Sequence, residues 1–260
     1  MKSTKSYDIL RINRDNVNSE EDLVIVEYPF TIFIDDEEII TLLCSPNSLK
    51  YLAIGFLHSE GFIEDYSAVD NIQIDEENGR AYVRLNVRKS FNEKLQGKRT
   101  ITSGCGKGTV FYNVLDSFKS KKIKNEVEIK SSDLVDLMRS FNKSSELFYS
   151  TGGVHACAIC NEHGILYFEE DIGRHNALDK VLGRALVEDM DVSDKIILTS
   201  GRISSEMLIK AAKRGIPVVV SRSAPTSLAV NMARELNITL VGFVRGEKMN
   251  IYSSFPSLKF

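Results

Sequence analysis

The chain has 260 residues, of which 43% are hydrophobic and 27% charged, and its formal net charge is −3. That balance describes a globular protein with a sizeable core, and it excludes the broad basic surface that nucleic acid or an anionic membrane requires, so any anion must be bound locally. No run of about 18 apolar residues occurs and the amino terminus, MKSTKSYDILRINRDN, is too polar for a secretory signal, so a cytoplasmic protein with no membrane span is expected.

In chain order, LVIVEYPFTIFI and EEIITLLCS are rich in β-branched and aromatic residues, and AYVRLNV follows a turn at Glu77-Asn78-Gly79, so all three read as strands. Between them SPNSLKYLAIGFLHSEG starts at Pro46 and Asn47, places Leu49, Leu52, Ala53, Phe56 and Leu57 at helical spacing, and stops at Gly61. Residues 119 to 130, KSKKIKNEVEIK, read as a charged linker or exposed edge with no apolar face. SSDLVDLMRSFNK then predicts a helix from Ser131 or Ser132, with Leu134, Leu137, Met138 and Phe141 on one side. VHACAIC and ILYF, joined by the polar NEHG, predict a β-hairpin.

From residue 195 the pattern alternates: KIILTS, IPVVVS and ITLVGFV as buried strands, SSEMLIKAAKRG and PTSLAVNMAREL as the helices between them. Short connections between such elements imply parallel strands in a layered α/β domain, whose ligands gather beyond the strand carboxyl ends. Arg202, Arg222 and Arg245 all fall there, the first two beside serines at helix starts, and each place is either ordinary capping or, through its arginine, a phosphate clamp.

Two cysteine stretches compete for attention. HACAICNEH supplies His155, Cys157, Cys160 and His163, which as an inventory matches a zinc site. Along a strand, however, residues three apart face opposite sides, so Cys157 and Cys160 read as small buried apolar residues. SGCGKG has the opposite character: glycines 104, 106 and 108 cannot pack a core, and Lys98, Arg99 and Lys107 favour the thiolate of Cys105. Cys105 is therefore either a reactive nucleophile or a surface cysteine without a role. In EEDIGRHNALDK, Asp171 can cap a helix on which His175 and Asp179, four apart, share a face, as a carboxylate-oriented imidazole for proton handling or as a structural pair.

In order, PFTIFIDDEEIITLLCSPNSLKYLAIGFLHSEGFI, TSGCG, STGGVHA, EEDIGRHNALDKVLG, TSGRISSEM, SRSAPTSLAV and ITLVGFVRGEKMNIY resemble the signature segments of the formate dehydrogenase accessory sulfurtransferases, the FdhD/NarQ family. The resemblance implies a cytidine-deaminase-like layered α/β domain over 131–260 and a smaller, mainly β amino-terminal subdomain with the Cys105 segment over 1–120, usually in a homodimer. It implies a persulfide carrier that takes sulfur from a cysteine desulfurase and passes it to the molybdenum or tungsten bis(molybdopterin guanine dinucleotide) cofactor of formate dehydrogenase. By position the persulfide cysteine is Cys105, and the cofactor-binding segment is Phe243, Val244, Arg245, Gly246, Glu247 and Lys248. The family's second cysteine is replaced by Gly108, which removes release through an adjacent disulfide and makes a non-catalytic cofactor chaperone the alternative. A zinc hydrolase of the deaminase type is disfavoured, since the HxE and PCxxC ligand motifs are absent and no zinc is expected.

Overall fold

The computed structural model describes residues 1–14, 16–86, 99–100, 108–109, 122–124, 127–255 and 258–259. Cys105 lies outside the described residues, between the short strands β7 (Arg99–Thr100) and β8 (Gly108–Thr109), which pair antiparallel.

The amino-terminal part opens with a hairpin of β1 (Thr4–Asn13) and β2 (Asn16–Ile25). Most of its residues are exposed and none is buried, which is why no amphipathic pattern announced it. A four-stranded sheet follows in the order β4-β3-β6-β5, from β3 (Tyr28–Ile34), β4 (Glu37–Cys44), β5 (Val69–Asp75) and β6 (Arg80–Leu85). Helix α1 (Leu49–Ser59) lies on this sheet, and Phe30, Ile32, Ile34, Leu52, Leu57 and Val83 share one core with it.

The carboxyl-terminal part is built on a six-stranded sheet in the order β11-β10-β12-β13-β14-β15. Strands β12 (Ile196–Thr199), β13 (Val218–Ser221) and β14 (Thr239–Arg245) run parallel, as the alternating pattern predicts, joined through α5 (Ser205–Lys213) and α6 (Ser227–Leu236). Hairpin β10 (His155–Asn161) and β11 (Gly164–Asp171) extends one side antiparallel, and β15 (Lys248–Ser253) the other. Side chains alternate across the sheet and divide the core in two. Cys157, Ile159, Ile197 and Val219 pack against α4 (Arg174–Val187), α5 and α6, whereas Ala158, Cys160, Leu198 and Val220 pack against Leu134, Leu137, Met138 and Phe141 of α2 (Ser131–Lys143). Each such fully buried aliphatic side chain stabilises the fold by about 1.5–3 kcal/mol relative to leaving it in water. A short helix α3 (Glu146–Thr151) leads from α2 toward β10.

The charged stretch before α2 is more firmly held than its composition suggested. Ile123 donates its N–H to the Leu236 carbonyl and receives a bond from the Asn237 side chain, both at 2.9 Å. Val127 and Ile129 are buried, and β9 (Ile129–Lys130) pairs parallel with β16 (Leu258–Lys259). The expectation of a solvated edge without an apolar face is therefore corrected: Ile123, Val127 and Ile129 supply that face between lysines and glutamates. No helix among the described residues is long and apolar enough to cross a membrane.

Candidate functional site

Because β12, β13 and β14 are parallel, their carboxyl ends open on one edge of the sheet, and β10, antiparallel to β12, starts at that edge. Two adjoining hollows of about 430 Å³ each lie there and share Phe148, Val154, Ser200, Arg222 and Arg245. Cavities of this size hold small-molecule ligands. Asn142 and Phe141 from α2 and Tyr149 from α3 wall one hollow, and His155, Ile172 and Ser223 line the other.

The arginines are aimed by backbone. Arg222 N–H donates to the Thr199 carbonyl (3.1 Å), and the Arg222 carbonyl in turn accepts Nε–H of Arg245 (3.1 Å). Phe243, just before Arg245, has φ 54° and donates its N–H to the Ser223 carbonyl. This left-handed residue coincides with the register shift between Gly242 and Arg245 on β14, an irregularity of the kind that re-aims a following side chain. The Arg245 guanidinium lies 5.5 Å from the Phe243 ring centroid, and Arg222 reaches Asn142 Oδ1 at 3.4 Å. Both guanidinium groups are exposed and can take a phosphate through paired N–H donors.

Of the residues expected to bind a cofactor, Arg222, Val244, Arg245 and Gly246 line the hollows. Phe243 is in neither lining, and its ring centroid lies 5.5 Å from the Arg245 guanidinium. Arg202 is exposed and also absent from both linings, so two of the three arginines expected to hold a phosphate line the hollows, and from the Arg202 segment it is Ser200 that does. Glu247 and Lys248 are exposed at the β14–β15 turn, where Glu247 pairs with Arg139 at 3.1 Å.

The expected His175–Asp179 pair is not formed. Asp179 is buried and accepts from Ser59 Oγ (2.6 Å) and Lys210 Nζ (2.5 Å), so its carboxylate faces α1 and α5 and not the imidazole one turn back. Burial alone would lower the Lys210 ammonium's pKa, but Asp179, Glu60 and Glu206 outweigh it and hold it above its usual range. His175 lies against Ser204 and Glu206 at 3.5 and 3.4 Å. Burial first, and then the charges of Lys210 and Arg174, push its pKa down to about 3, so the ring is neutral and its 3.4 Å approach to Glu206 is not an ion pair.

Asp171 does not cap α4 directly, since the cap is Gly173. It holds the preceding turn by accepting the Gly173 N–H and the Asn176 side-chain amide, both at 2.9 Å. Its other oxygen meets Lys180 Nζ at 2.7 Å, and this lysine, fully buried, also reaches the Ser45 carbonyl and Asn47 Oδ1. Neighbouring Glu170 accepts from Ser145 Oγ and from the amides of Leu147 and Phe148 at the start of α3, fixing the aromatic wall of the cavity. Spacing pointed to Asp171 near the helix start but not to Glu170, whose partners lie 22 to 25 positions away in the chain.

Cys157 and Cys160 face opposite cores, so the His155, Cys157, Cys160, His163 inventory is not one cluster. Burial pushes the thiols of Cys44, Cys157 and Cys160 up to about 12.

Residues 25–258 match the model of the FdhD/NarQ family. The chain is 46% identical over 252 residues to a sulfur carrier protein FdhD of Listeria monocytogenes serotype 4b (strain F2365), covering 96% of this chain and 97% of that one. It is 45% identical over 257 residues to the sulfur carrier protein FdhD of Bacillus licheniformis, covering 99% and 98%. A crystal structure of a protein described as a formate dehydrogenase accessory protein from Desulfotalea psychrophila has the same fold, with a TM-score of 0.81 at 24% identity, over 99% of this chain and 100% of that one. With the matched span running from the end of β2 into β16 and relatives at this identity along its whole length, the chain belongs to the FdhD/NarQ family.

Proposed function

We propose that this protein is a sulfur carrier in the maturation of formate dehydrogenase. The Cys105 thiolate attacks the outer sulfur of a persulfide on a cysteine desulfurase; that S–S bond breaks, the desulfurase cysteine leaves as thiolate, and Cys105 holds the persulfide. The recipient is the molybdenum or tungsten bis-guanine-dinucleotide cofactor, a substrate here, with a guanine nucleotide end in the Arg222–Arg245 cavity. Two guanidinium groups at a ring of strand ends suit a diphosphate, and the aromatic side chains of Phe148 and Tyr149 suit a base. Relatives at 41% to 48% identity are named sulfur carrier proteins, which supports the reading.

The observation that carries Cys105 is the state of the other three cysteines. Cys44, Cys157 and Cys160 are buried, and with pKa values near 12 they are thiols rather than thiolates at neutral pH. Intact-mass spectrometry after incubation with a desulfurase and cysteine should show one added sulfur atom that maps to Cys105 and is lost in Cys105→Ala. Sulfur on another residue, or none, would overturn the assignment. Gly108, at the position of the family's second cysteine, favours one other reading, a cofactor chaperone without sulfur chemistry. That reading requires Cys105→Ala to mature formate dehydrogenase as well as the wild type does.

A further inference from the structure

Strands β10 and β12 end their ladder at Cys157 and Thr199. One residue beyond, Ser200 N–H donates to the Ala156 carbonyl at 3.0 Å, while Ala156 N–H finds the Ser200 side chain, Oγ at 3.0 Å. This bond fixes the hydroxyl in place at the cavity floor. Its other contact is His155 Nδ1, at 3.2 Å. A hydroxyl has one hydrogen to give. Among the described residues Nδ1 is the one acceptor in reach of that hydrogen; with Ala156 N–H on one lone pair, the oxygen's second lone pair could instead accept from a protonated Nδ1, the hydroxyl hydrogen then turning to solvent. An imidazole nitrogen that accepts carries no proton, so the first arrangement puts the neutral ring's hydrogen on Nε2. The ring is neutral at pH 7, because burial, and then the charge of Arg174, hold His155 below the usual histidine range.

Both residues line the hollow shared with Arg222, Ser223 and Arg245. Gly201 lies beside the pair: a Cβ there would stand at ordinary contact, 3.4 Å, from His155 Nδ1 and tighter, at 3.0 Å, against the Arg174 side chain.

We propose that Ser200 is a positioning residue that fixes His155 as its Nε2–H tautomer, and that His155 acts as a neutral hydrogen-bond donor to a phosphorylated ligand held by Arg222 and Arg245. The donor role rests on the nucleotide reading of the cavity given above. The arginines supply charge. A neutral N–H adds direction without a further positive charge, which a partly buried site beside two arginines opposes.

Long-range proton–nitrogen NMR of the ¹⁵N-labelled full chain reads the tautomer directly, without ligand. The wild type should show His155 protonated at Nε2 alone, and Ser200→Ala should show a mixture of tautomers while its other histidines stay unchanged. GDP titration by calorimetry tests the donor. Ser200→Ala should weaken GDP binding about five- to tenfold, the loss of one net hydrogen bond, His155→Ala should weaken it at least as much, and His155→Gln, which keeps an N–H near the Nε2 position, should recover most of the affinity. An Nδ1–H tautomer in the wild type, or a Ser200→Ala variant with an unchanged tautomer, overturns the pair. Equal affinity of His155→Ala and wild type overturns the donor. If the wild type binds no GDP, the nucleotide reading fails and the donor role with it, whereas a wrong tautomer in a chain that binds GDP removes the Ser200 role alone.

Discussion

The crossing of α1 over α4 depends on two glycines, and Gly183→Ala tests it. A Cβ at Gly183 would stand 2.0 Å from the Tyr51 carbonyl oxygen and 2.6 Å from the Gly55 nitrogen, and one at Gly55 would stand 1.8 Å from the Asp179 carbonyl oxygen. These are backbone atoms, so no rotamer change gives relief. Ordinary contact begins near 3.4 Å, and moving from 2.0 Å to that distance requires the helices to part by roughly 1.4 Å in a close-packed core. Overpacking of this kind costs about 1–3 kcal/mol, and the rigidity of both partners puts the cost at the upper end. Alanine also favours a helix interior over glycine by about 1 kcal/mol. The net expectation is a loss of about 2 kcal/mol, or a melting temperature lower by about 4–8 °C for a chain of this size. Thermal melts followed by circular dichroism or calorimetry measure it. The sign decides the matter: an unchanged or raised melting temperature for Gly183→Ala means that helix propensity acts alone and that the backbones do not meet.

Three more outcomes follow from the structure. In the native protein Cys44, Cys157 and Cys160 should resist iodoacetamide at pH 8 and react only on unfolding, and peptide mapping that finds them alkylated as fast as Cys105 would contradict their burial. Burial, followed by nearby cations, pushes His58 down to about 4 and His175 to about 3, below the unfolded value of 6.5. The unfolded chain therefore binds about two more protons at pH 5, so this stability is present above pH 6.5 and is lost as the pH falls; urea unfolding from pH 7 to 5 should show that slope, and a His58→Gln, His175→Gln double variant should flatten it. Lys180→Met leaves Asp171 buried without its cation and should cost about 3–5 kcal/mol by urea unfolding, whereas a loss below 1 kcal/mol would show the pair to be dispensable.

Most of the layered architecture was legible from periodicity. Helices α1 and α2 and strands β12 to β14 bury contiguous apolar faces, and the convergence of Arg222 and Arg245 follows from parallel strands ending together. Hairpin β1–β2 was not legible because it buries neither face, and in the charged stretch before α2 the burial of Val127 and Ile129 was not legible because single apolar residues are interleaved with charges. At the site, residues set by backbone direction were predicted better than those set by distant partners. Asp179 shares a helix face with His175, but Ser59, 120 positions away, and Lys210, 31 positions away, offer a buried carboxylate shorter and better-directed contacts. Ser200 and Glu170 carried no motif signal because their partners are main-chain amides brought close only by the fold.

The Lys180 ammonium has consequences for how the molecule comes apart. It is rooted in α4 yet most of its oxygen partners come from Ser45 and Asn47, on the segment that leads into α1. Pulling the two portions apart would strand that cation and uncover the Leu186 side of the amino-terminal core together. The two portions are therefore expected to unfold together, in a single calorimetric transition of the intact chain.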